Sequence, residues 1–382
     1  MPPPDIPKQQ IVGLFNHSNM ITFAASRMGF NVGAAVEYPT SPLRKTTANY
    51  ARQILHQQEV NLIIDKPFWK QEERQDPVTH WSKQGLHFQD QLIVEDPWIV
   101  YSQPFIPARS SNNQDIMHEI KMIFELTLAQ SFKPEFFLFI TTAYHKEQIL
   151  EYFQNNDFGY RWTVIKINAP ALSVPIRSSY FIIIGSRNGL SPAVAPIHIK
   201  EITTVWDVLH DETINELPNS DPLPNQGIQL KMLWDSSSIL KPGECLYHKS
   251  PRDFPQSLKD YMAKGRTLLK IQYPLRLEKD FVAPTISVTP RMIHPVEPRP
   301  LSIREMARLL RIPDNVQFHL QTSSTMRFIG NVIPLPVSEY AFDLILRIKN
   351  RQVNESNQPF IHASSQVEEA LKNINRWHQS KH

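Results

Sequence analysis

The stretch that decides the fold is Arg299–Val337. It reads R-P-L-S-I-R-E-M-A-R-L-L-R-I-P-D over Arg299–Asp314, then fifteen residues, then G-N-V-I-P-L-P-V over Gly330–Val337. Ser302 stands three residues before Glu305, the spacing of a capping box. There a hydroxyl and a carboxylate satisfy the free backbone N–H groups of a helix start. A helix over Ser302–Leu310 follows. Ser338 repeats the device less perfectly, ahead of a helix to Lys349 with apolar residues at 341, 344, 345 and 348. Ser365 and Glu368 have the same spacing and announce a third helix.

Upstream of this block, short apolar strands alternate with amphipathic helices. Ile11–Phe15 reads as a strand, Ile21–Arg27 as a helix, and a second strand ends at Ala34-Ala35-Val36-Glu37. Asn61–Ile64 and Trp98–Tyr101 are further strands. Asp115–Gln130 carries apolar residues at 116, 117, 120, 123, 124 and 128, a helical spacing. Phe136–Ile140 is a fully buried strand, His145–Phe153 a helix, and Arg161–Ile167 with Tyr180–Ile184 a hairpin. This alternation predicts a doubly wound α/β sheet. An acidic residue closing the second strand, here Glu37, is how nucleotide-binding α/β units hold a ribose, although a merely solvated carboxylate gives the same letter. From Ser186 to about Pro284 the alternation fails, and L-P-N-S-D-P-L-P-N-Q-G (217–227) is turn chemistry. The expected organisation is a large domain of 1–185 and 285–382 with a small irregular domain, 186–284, inserted.

A chain of 382 residues has ample length for that arrangement. With 41% hydrophobic and 20% charged residues, the composition is that of a soluble globular protein. No apolar run approaches the roughly 18–20 residues of a membrane helix. The polar, proline-rich Met1–Gln10 is no signal segment, so a cytoplasmic protein is expected (nuclear in a eukaryote), with no membrane partner. A single cysteine, Cys245, excludes an intramolecular disulfide and a cysteine-cluster metal site. His17, His80, His87, His118, His145, His198 and His210 are scattered without metal-ligand spacing, so no metal is expected. The net charge of +3 permits a local basic face without demanding one.

The opening pair of blocks resembles the last two sequence motifs of the DNA cytosine-5 methyltransferases, R-x-L-T-x-R-E-x-x-R-L-Q-x-F-P-D and G-N-x-V-P-x-x-L. Arg276–Ile286 (R-L-x-x-x-x-x-A-P-T-I) and Ile293–Pro295 (I-H-P) precede them in the family's order. The likeness covers roughly Ile11–Glu37, Trp98–Gly185 and Leu275–Ile348. It implies a Rossmann-like methyltransferase fold, with 186–284 in the place of the family's target-recognition domain.

The family's chemistry-bearing motifs are recognisable here in position and altered in content. Its first motif is a glycine loop that lets the backbone approach S-adenosylmethionine. Phe15 stands at its head, but Asn16-His17-Ser18-Asn19-Met20 has no glycine. Glu37 matches the ribose-binding acid, Asp65 an adenine-contacting Asp, and Asn331 lies in the motif that closes the cofactor pocket. The nucleophile motif P-P-C-Q-x-F-S matches Val100–Phe105, with Ser102 in place of the cysteine and Gln103 beside it as a candidate DNA contact. A rival register at Lys66-Pro67-Phe68 puts Phe68 there. Neither supplies the thiolate that adds to C6 of cytosine, and a serine hydroxyl is a far weaker acid than a thiol of pKa about 8.5. The E-N-V motif falls at Ile140-Thr141-Thr142, so Ile140 replaces the acid. The Q-x-R-x-R motif falls at Ile176–Tyr180, with Ser178 and Tyr180 for its arginines and Arg177 one place early.

The resemblance therefore implies a catalytically inactive homologue acting as a DNA-binding or regulatory subunit, beside an active partner such as a methyltransferase or nuclease. Lobes that flank a DNA cleft in the family can still hold duplex DNA. Lys264, Arg266 and Lys270 would then meet phosphates, although a solvated face reads the same. No cofactor is expected on this reading. The alternatives are an enzyme using S-adenosylmethionine by an unorthodox route or completed by a second subunit, and a protein-interaction scaffold.

Overall fold

β-Branched, leucine and phenylalanine runs in the N-terminal half build seven strands of one eight-stranded sheet, and Phe360–His362 supplies the eighth. The computed structural model describes residues 10–14, 20–37, 61–64, 86–88, 91–94, 97–103, 133–142, 159–192, 201–264, 273–287, 289–318, 322–350 and 360–365, with a few isolated positions besides. Its strands are β1 (Gln10–Leu14), β2 (Asn31–Glu37), β3 (Asn61–Ile64), a small hairpin of β4 (Leu86–Phe88) and β5 (Gln91–Val94), β6 (Ile99–Ser102), β7 (Phe136–Thr142), β8 (Arg161–Asn168), β9 (Ile176–Arg177), β10 (Ser179–Ser186), β11 (Leu275–Arg276), β12 (Ala283–Pro284), β13 (Met292–Ile293) and β14 (Phe360–His362). The helices are α1 (Met20–Arg27), α2 (Val205–Leu209), α3 (Gly227–Ser237), α4 (Gln256–Ala263), α5 (Ile303–Leu309), α6 (Thr322–Ile329) and α7 (Leu335–Lys349). The predicted helices at Asp115–Gln130, His145–Phe153 and after Ser365 fall largely or wholly outside the described residues.

The main sheet has the order β14-β8-β10-β7-β6-β1-β2-β3. β3, β2, β1, β6 and β7 pair in parallel, while β10 runs antiparallel to both β7 and β8. This is the doubly wound sheet expected from the alternation, with one reversed strand from the hairpin. Parallel strands covered on both faces read as continuous apolar runs, and Phe136–Ile140 is accordingly buried throughout. Packing there is tight. A Cβ added at Gly185 on β10 would lie 1.8 Å from the Phe137 ring. α1 and α7 cover one face of the sheet. Phe342 of α7 packs 5.0 Å from Phe30 and 5.5 Å from Tyr101, ring centre to ring centre. The Tyr101 hydroxyl donates to Thr22 Oγ1 of α1 at 2.9 Å.

The chain divides into two compact units, one of Met1–Leu172, Ser179–Ile199 and Ile333–His382, the other of Ser173–Ser178 and Lys200–Val332. The second unit has its own apolar core of Met232, Leu233, Leu240, Leu246, Phe254, Leu258 and Ile293. Beyond Thr204–His210, the sequence pattern left this region irregular, yet α3 and α4 are both helices. Their signal is masked by polar letters that point inward. On α3, Ser236 and Ser237 are buried, their hydroxyls donating to the carbonyls of Met232 and Trp234 at 2.7 Å. Serine satisfied by its own helix behaves as a small core residue.

Residues 285–332 pack within this second unit, for which Arg304 gives the physical reason. It is fully buried on α5, and its guanidinium donates to Val316 O at 2.6 Å, Pro218 O at 3.3 Å and Pro313 O at 3.4 Å. The same group lies 5.1 Å from the Phe318 ring centre. Asn219, at φ 69°, completes the lock with a pair of bonds to the Phe318 backbone. The proline-rich loop 217–224 is thereby fastened to α5.

The capping box at Ser302 forms as the spacing predicts. Ser302 Oγ accepts from Glu305 N at 3.1 Å, and Glu305 Oε2 accepts from Ser302 N at 2.7 Å. The second box does not form. α7 begins three residues earlier, at Leu335, with Pro334 as its cap and Pro336 in its first turn. Proline at that position presets the helical φ and has no N–H to satisfy. Ser338 is instead fully buried inside the helix.

Candidate functional site

In a doubly wound sheet, ligands sit beyond the carboxyl ends of the strands where the strand order reverses. Here that point lies between β1 and β6, because β2 and β3 continue on one side of β1, and β6 and β7 on the other. The register brings Val36, Leu14, Ser102 and Phe139 into one row across these ends. Glu37 and Ile140 each stand one residue beyond the row. Ser102 is therefore at the switch point. It is completely buried, and its Oγ has no hydrogen-bond partner among the described residues. An orphaned buried hydroxyl costs about 1–3 kcal/mol. Among the described residues, its row neighbours Leu14 and Phe139 are apolar and buried.

Ile140 is fully buried and pairs with Ile182 of β10. Strand alternation puts it on the same face as Leu138, which is also fully buried. Tyr180 is also buried, opposite Thr142 and Ile167. Ser178 lies just ahead of β10 and belongs to the second unit. Its hydroxyl is 2.9 Å from Thr285 Oγ1, close to where β9 pairs with β12. Phe15 and Asp65 lie outside the described residues, as does the glycine-free loop Asn16–Asn19. Gln103 is buried immediately after β6.

In the second unit Lys264 caps the carboxyl end of α4 and is exposed. Arg266 and Lys270 lie outside the described residues. Asn331 follows α6, its N–H donating to Phe328 O at 3.0 Å. No group of three or more His, Cys, Asp or Glu that could hold a metal occurs among the described residues. No described helix is long and apolar enough to cross a membrane.

One cluster escaped the sequence reading apart from its place in the I-H-P block. His294 is buried, and its Nδ1 accepts from the N–H groups of Glu297 at 2.9 Å and Val296 at 3.3 Å. Nε2 faces Glu305 Oε1 at 3.6 Å. Glu305 in turn receives both terminal nitrogens of Arg299 at 2.8 and 2.9 Å. Burial pushes the imidazole below its ordinary pKa, against the attraction of Glu305. Two backbone donors on Nδ1 also require that nitrogen to be unprotonated. The arrangement is a structural clamp around the capping box rather than a reaction centre.

The description C-5 cytosine-specific DNA methylase belongs to a family model that matches residues 128–347 of this chain. The chain belongs to that family. Among curated relatives, the type II methyltransferase M.XorII of Xanthomonas oryzae pv. oryzae is 26% identical over 268 residues, covering 59% of this chain and 60% of that protein. M.Eco47II of Escherichia coli is 30% identical over 195 residues, 48% of this chain and 45% of its own length. The chain thus spans about half to three-fifths of these two relatives. Two solved structures share the fold. One, from E. coli, is described as a DNA modification methyltransferase encoded within a prophage (TM-score 0.54, 18% identity, 90% of this chain and 99% of that one). The other is the Entamoeba histolytica methyltransferase EhMeth (TM-score 0.53, 11% identity, 90% and 99%).

Family membership raises the question of S-adenosylmethionine. At the switch point the described residues offer Leu14, Met20 and Phe139, all buried and apolar, and one orphaned hydroxyl. Glu37 ends β2, and the loop Asn16–Asn19, which the resemblance assigns to the methionine end of the cofactor, lies outside the described residues.

Proposed function

We propose that this member of the C-5 cytosine-specific DNA methylase family binds duplex DNA without methylating it, as a DNA-binding or regulatory subunit beside an active methyltransferase or nuclease in the cytoplasm. The observation that carries this reading is the location of the chain's only thiol. Cys245 sits in the second unit, half-buried and bridged to Leu275, whereas the switch-point position holds Ser102. Addition to cytosine C6 needs a thiolate, a proton donor at N3 and cations to hold the base. Ser102, Ile140, Ser178 and Tyr180 supply none of these.

The test is methyl transfer from labelled S-adenosylmethionine to cytosine-rich duplex, together with DNA binding at two salt concentrations. The expected result is no incorporation above a heat-killed control, with Ser102→Cys equally inert. Binding should weaken steeply as salt rises and weaken further in Lys264→Glu/Arg266→Glu. Incorporation by the wild type overturns the reading. Absence of duplex binding at low salt favours the scaffold alternative.

The orphaned Ser102 hydroxyl favours a second reading, in which a polar ligand group completes that crevice and the protein is an enzyme. Calorimetry with S-adenosylmethionine separates the two. Low-micromolar affinity, about −8 kcal/mol, would establish a working pocket; weak or no heat leaves the first reading standing.

A further inference from the structure

Tyr247 is the most exposed large apolar side chain among the described residues, with 66% of its surface open. It is also rigidly mounted. Leu246, its neighbour on the short turn Leu246–His248, is fully buried in the second unit's core. The turn is fastened to the β11 segment by Leu246 N→Pro274 O at 2.9 Å and Arg276 N→Glu244 O at 3.0 Å. The Tyr247 ring stands edgewise to Tyr273 at 5.3 Å and to His248 at 5.5 Å. An apolar ring held in water by a stiff support has paid its ordering entropy in advance, which is what a binding contact requires.

The charge around it is lopsided. Between Lys241 and Lys270 the sequence has seven Lys and Arg against three Asp and Glu, while the whole chain has a net charge of only +3. This thirty-residue stretch therefore carries more than the chain's entire positive excess. One of its cations, Lys249, is neutralised by Glu244 at 2.8 Å. Arg252, Lys259 and Lys264 are exposed, and Lys259 Nζ donates to Arg252 O at 2.8 Å, which holds two of the three cations together. Tyr247 and Arg252 are five positions apart in the chain, so their Cα atoms lie at most about 18 Å apart, within a few nucleotides of backbone.

We infer that Tyr247 is a base-stacking platform flanked by the phosphate-contacting cations Arg252, Lys259 and Lys264, and that its ligand is DNA with unpaired bases. The cationic excess selects a polyanion, and an open aromatic face adds affinity only where a base face is free of its own stack. In an intact duplex both faces of each base are already covered. The inference rests on the reading that this chain binds DNA, and specifies which form of DNA it prefers.

The test compares fluorescence anisotropy of a labelled duplex with that of the same duplex carrying a central run of unpaired bases, one of them 2-aminopurine. The full chain, Tyr247→Ala, Tyr247→Phe and Arg252→Glu/Lys259→Glu are titrated on both. Expected are tighter wild-type binding to the unpaired probe and quenching of 2-aminopurine on binding. Tyr247→Ala should lose about tenfold or more on the unpaired probe and less than about twofold on the duplex, while Tyr247→Phe keeps the preference. Arg252→Glu/Lys259→Glu should weaken both probes and flatten the salt dependence. Equal binding of both probes without quenching overturns the platform and leaves duplex binding intact. Binding of neither probe overturns both readings, and makes the ring and its cations a protein-docking surface. Should Tyr247→Ala misfold by circular dichroism, the wild-type preference and the quenching decide alone.

Discussion

The clamp around Ser302 and the row of residues at the strand ends treat polar groups in opposite ways. At the clamp, Arg299, Glu305, Ser302 and His294 are largely buried: Glu305 accepts from Arg299 and from Ser302 N, Ser302 Oγ accepts from Glu305 N, and His294 N donates to Arg299 O. Arg304 beside them is 3.9 Å from the Asp314 carboxylate and donates to three carbonyls. At the strand ends, Ile140 and Phe139 carry no polar group, and Ser102 carries one with no partner among the described residues. A buried polar group is tolerable when its partners are supplied and costly when they are not. The clamp is organised to hold a shape. The strand ends are organised as sheet core, whatever chemistry the motif order assigns to them.

The sharpest way to break this contrast is to put the acid back. Ile140→Glu buries a carboxylate on an apolar strand, beside Leu138 and opposite Ile182, and should cost about 4 kcal/mol or more of stability in urea denaturation. A loss under about 1 kcal/mol would mean that the strand end opens to water and is a site after all. Next in size is Arg304→Ala, which strands three carbonyls and leaves a void against Phe318. We expect about 3 kcal/mol or more, with Arg304→Lys recovering only part, because an ammonium cannot reach all three acceptors.

The clamp also makes a pH signature that the strand ends lack. His294 has its folded-state pKa lowered by burial, so its neutral form is favoured by folding. The stability this confers is complete above the unfolded value of about 6.5, and is lost as pH falls below it toward the lower folded value. The groups facing it are Glu305, Glu297, Arg299 and Arg276. Between pH 7 and pH 5.5, His294→Gln should lose less stability than the wild type, by up to about 1.4 kcal/mol per pH unit below the transition. Parallel slopes for the two proteins would show that His294 is protonated in place without strain. The smallest effect is expected at Ser102→Ala. Removing an unpartnered hydroxyl should leave stability unchanged or raised by about 1 kcal/mol. A loss of more than that would reveal a partner for the Oγ in solution, and would move Ser102 from core to site.

These contrasts were unevenly legible in the sequence. The Ser302 box could be read because its two residues are local partners, three positions apart on one turn. Ser338 has similar spacing cues but lies behind Pro334 and Pro336, which start the helix without it. α3 was hidden because its inward stripe includes Ser236 and Ser237. The strands β1, β2, β3, β6 and β7 showed as apolar runs, since burial on both faces removes polar letters. What local pattern could not give was their lateral order, and with it the row Val36–Leu14–Ser102–Phe139. That row comes from pairing between residues far apart in the chain. The same holds for Arg304, whose partners Pro218 and Val316 lie on either side of it in sequence, one of them more than eighty residues away.

The short segment Ser173–Ser178 counts with the second unit although the chain on both sides of it belongs to the first. In it, β9 pairs with β12, Pro175 O accepts from Ala283 N, and Arg177 O accepts from the Thr285 hydroxyl. The polypeptide therefore crosses between the units four times, not twice, and the second unit is not a simple insertion that a pair of cuts can release. A fragment beginning at Lys200 would leave β12 without its strand partner β9 and open the edge at Ala283 to adventitious pairing. Anyone dissecting this protein into pieces should carry 173–178 along on a linker, or graft a replacement strand. Otherwise, aggregation of the excised fragment would report a missing strand rather than a weak fold.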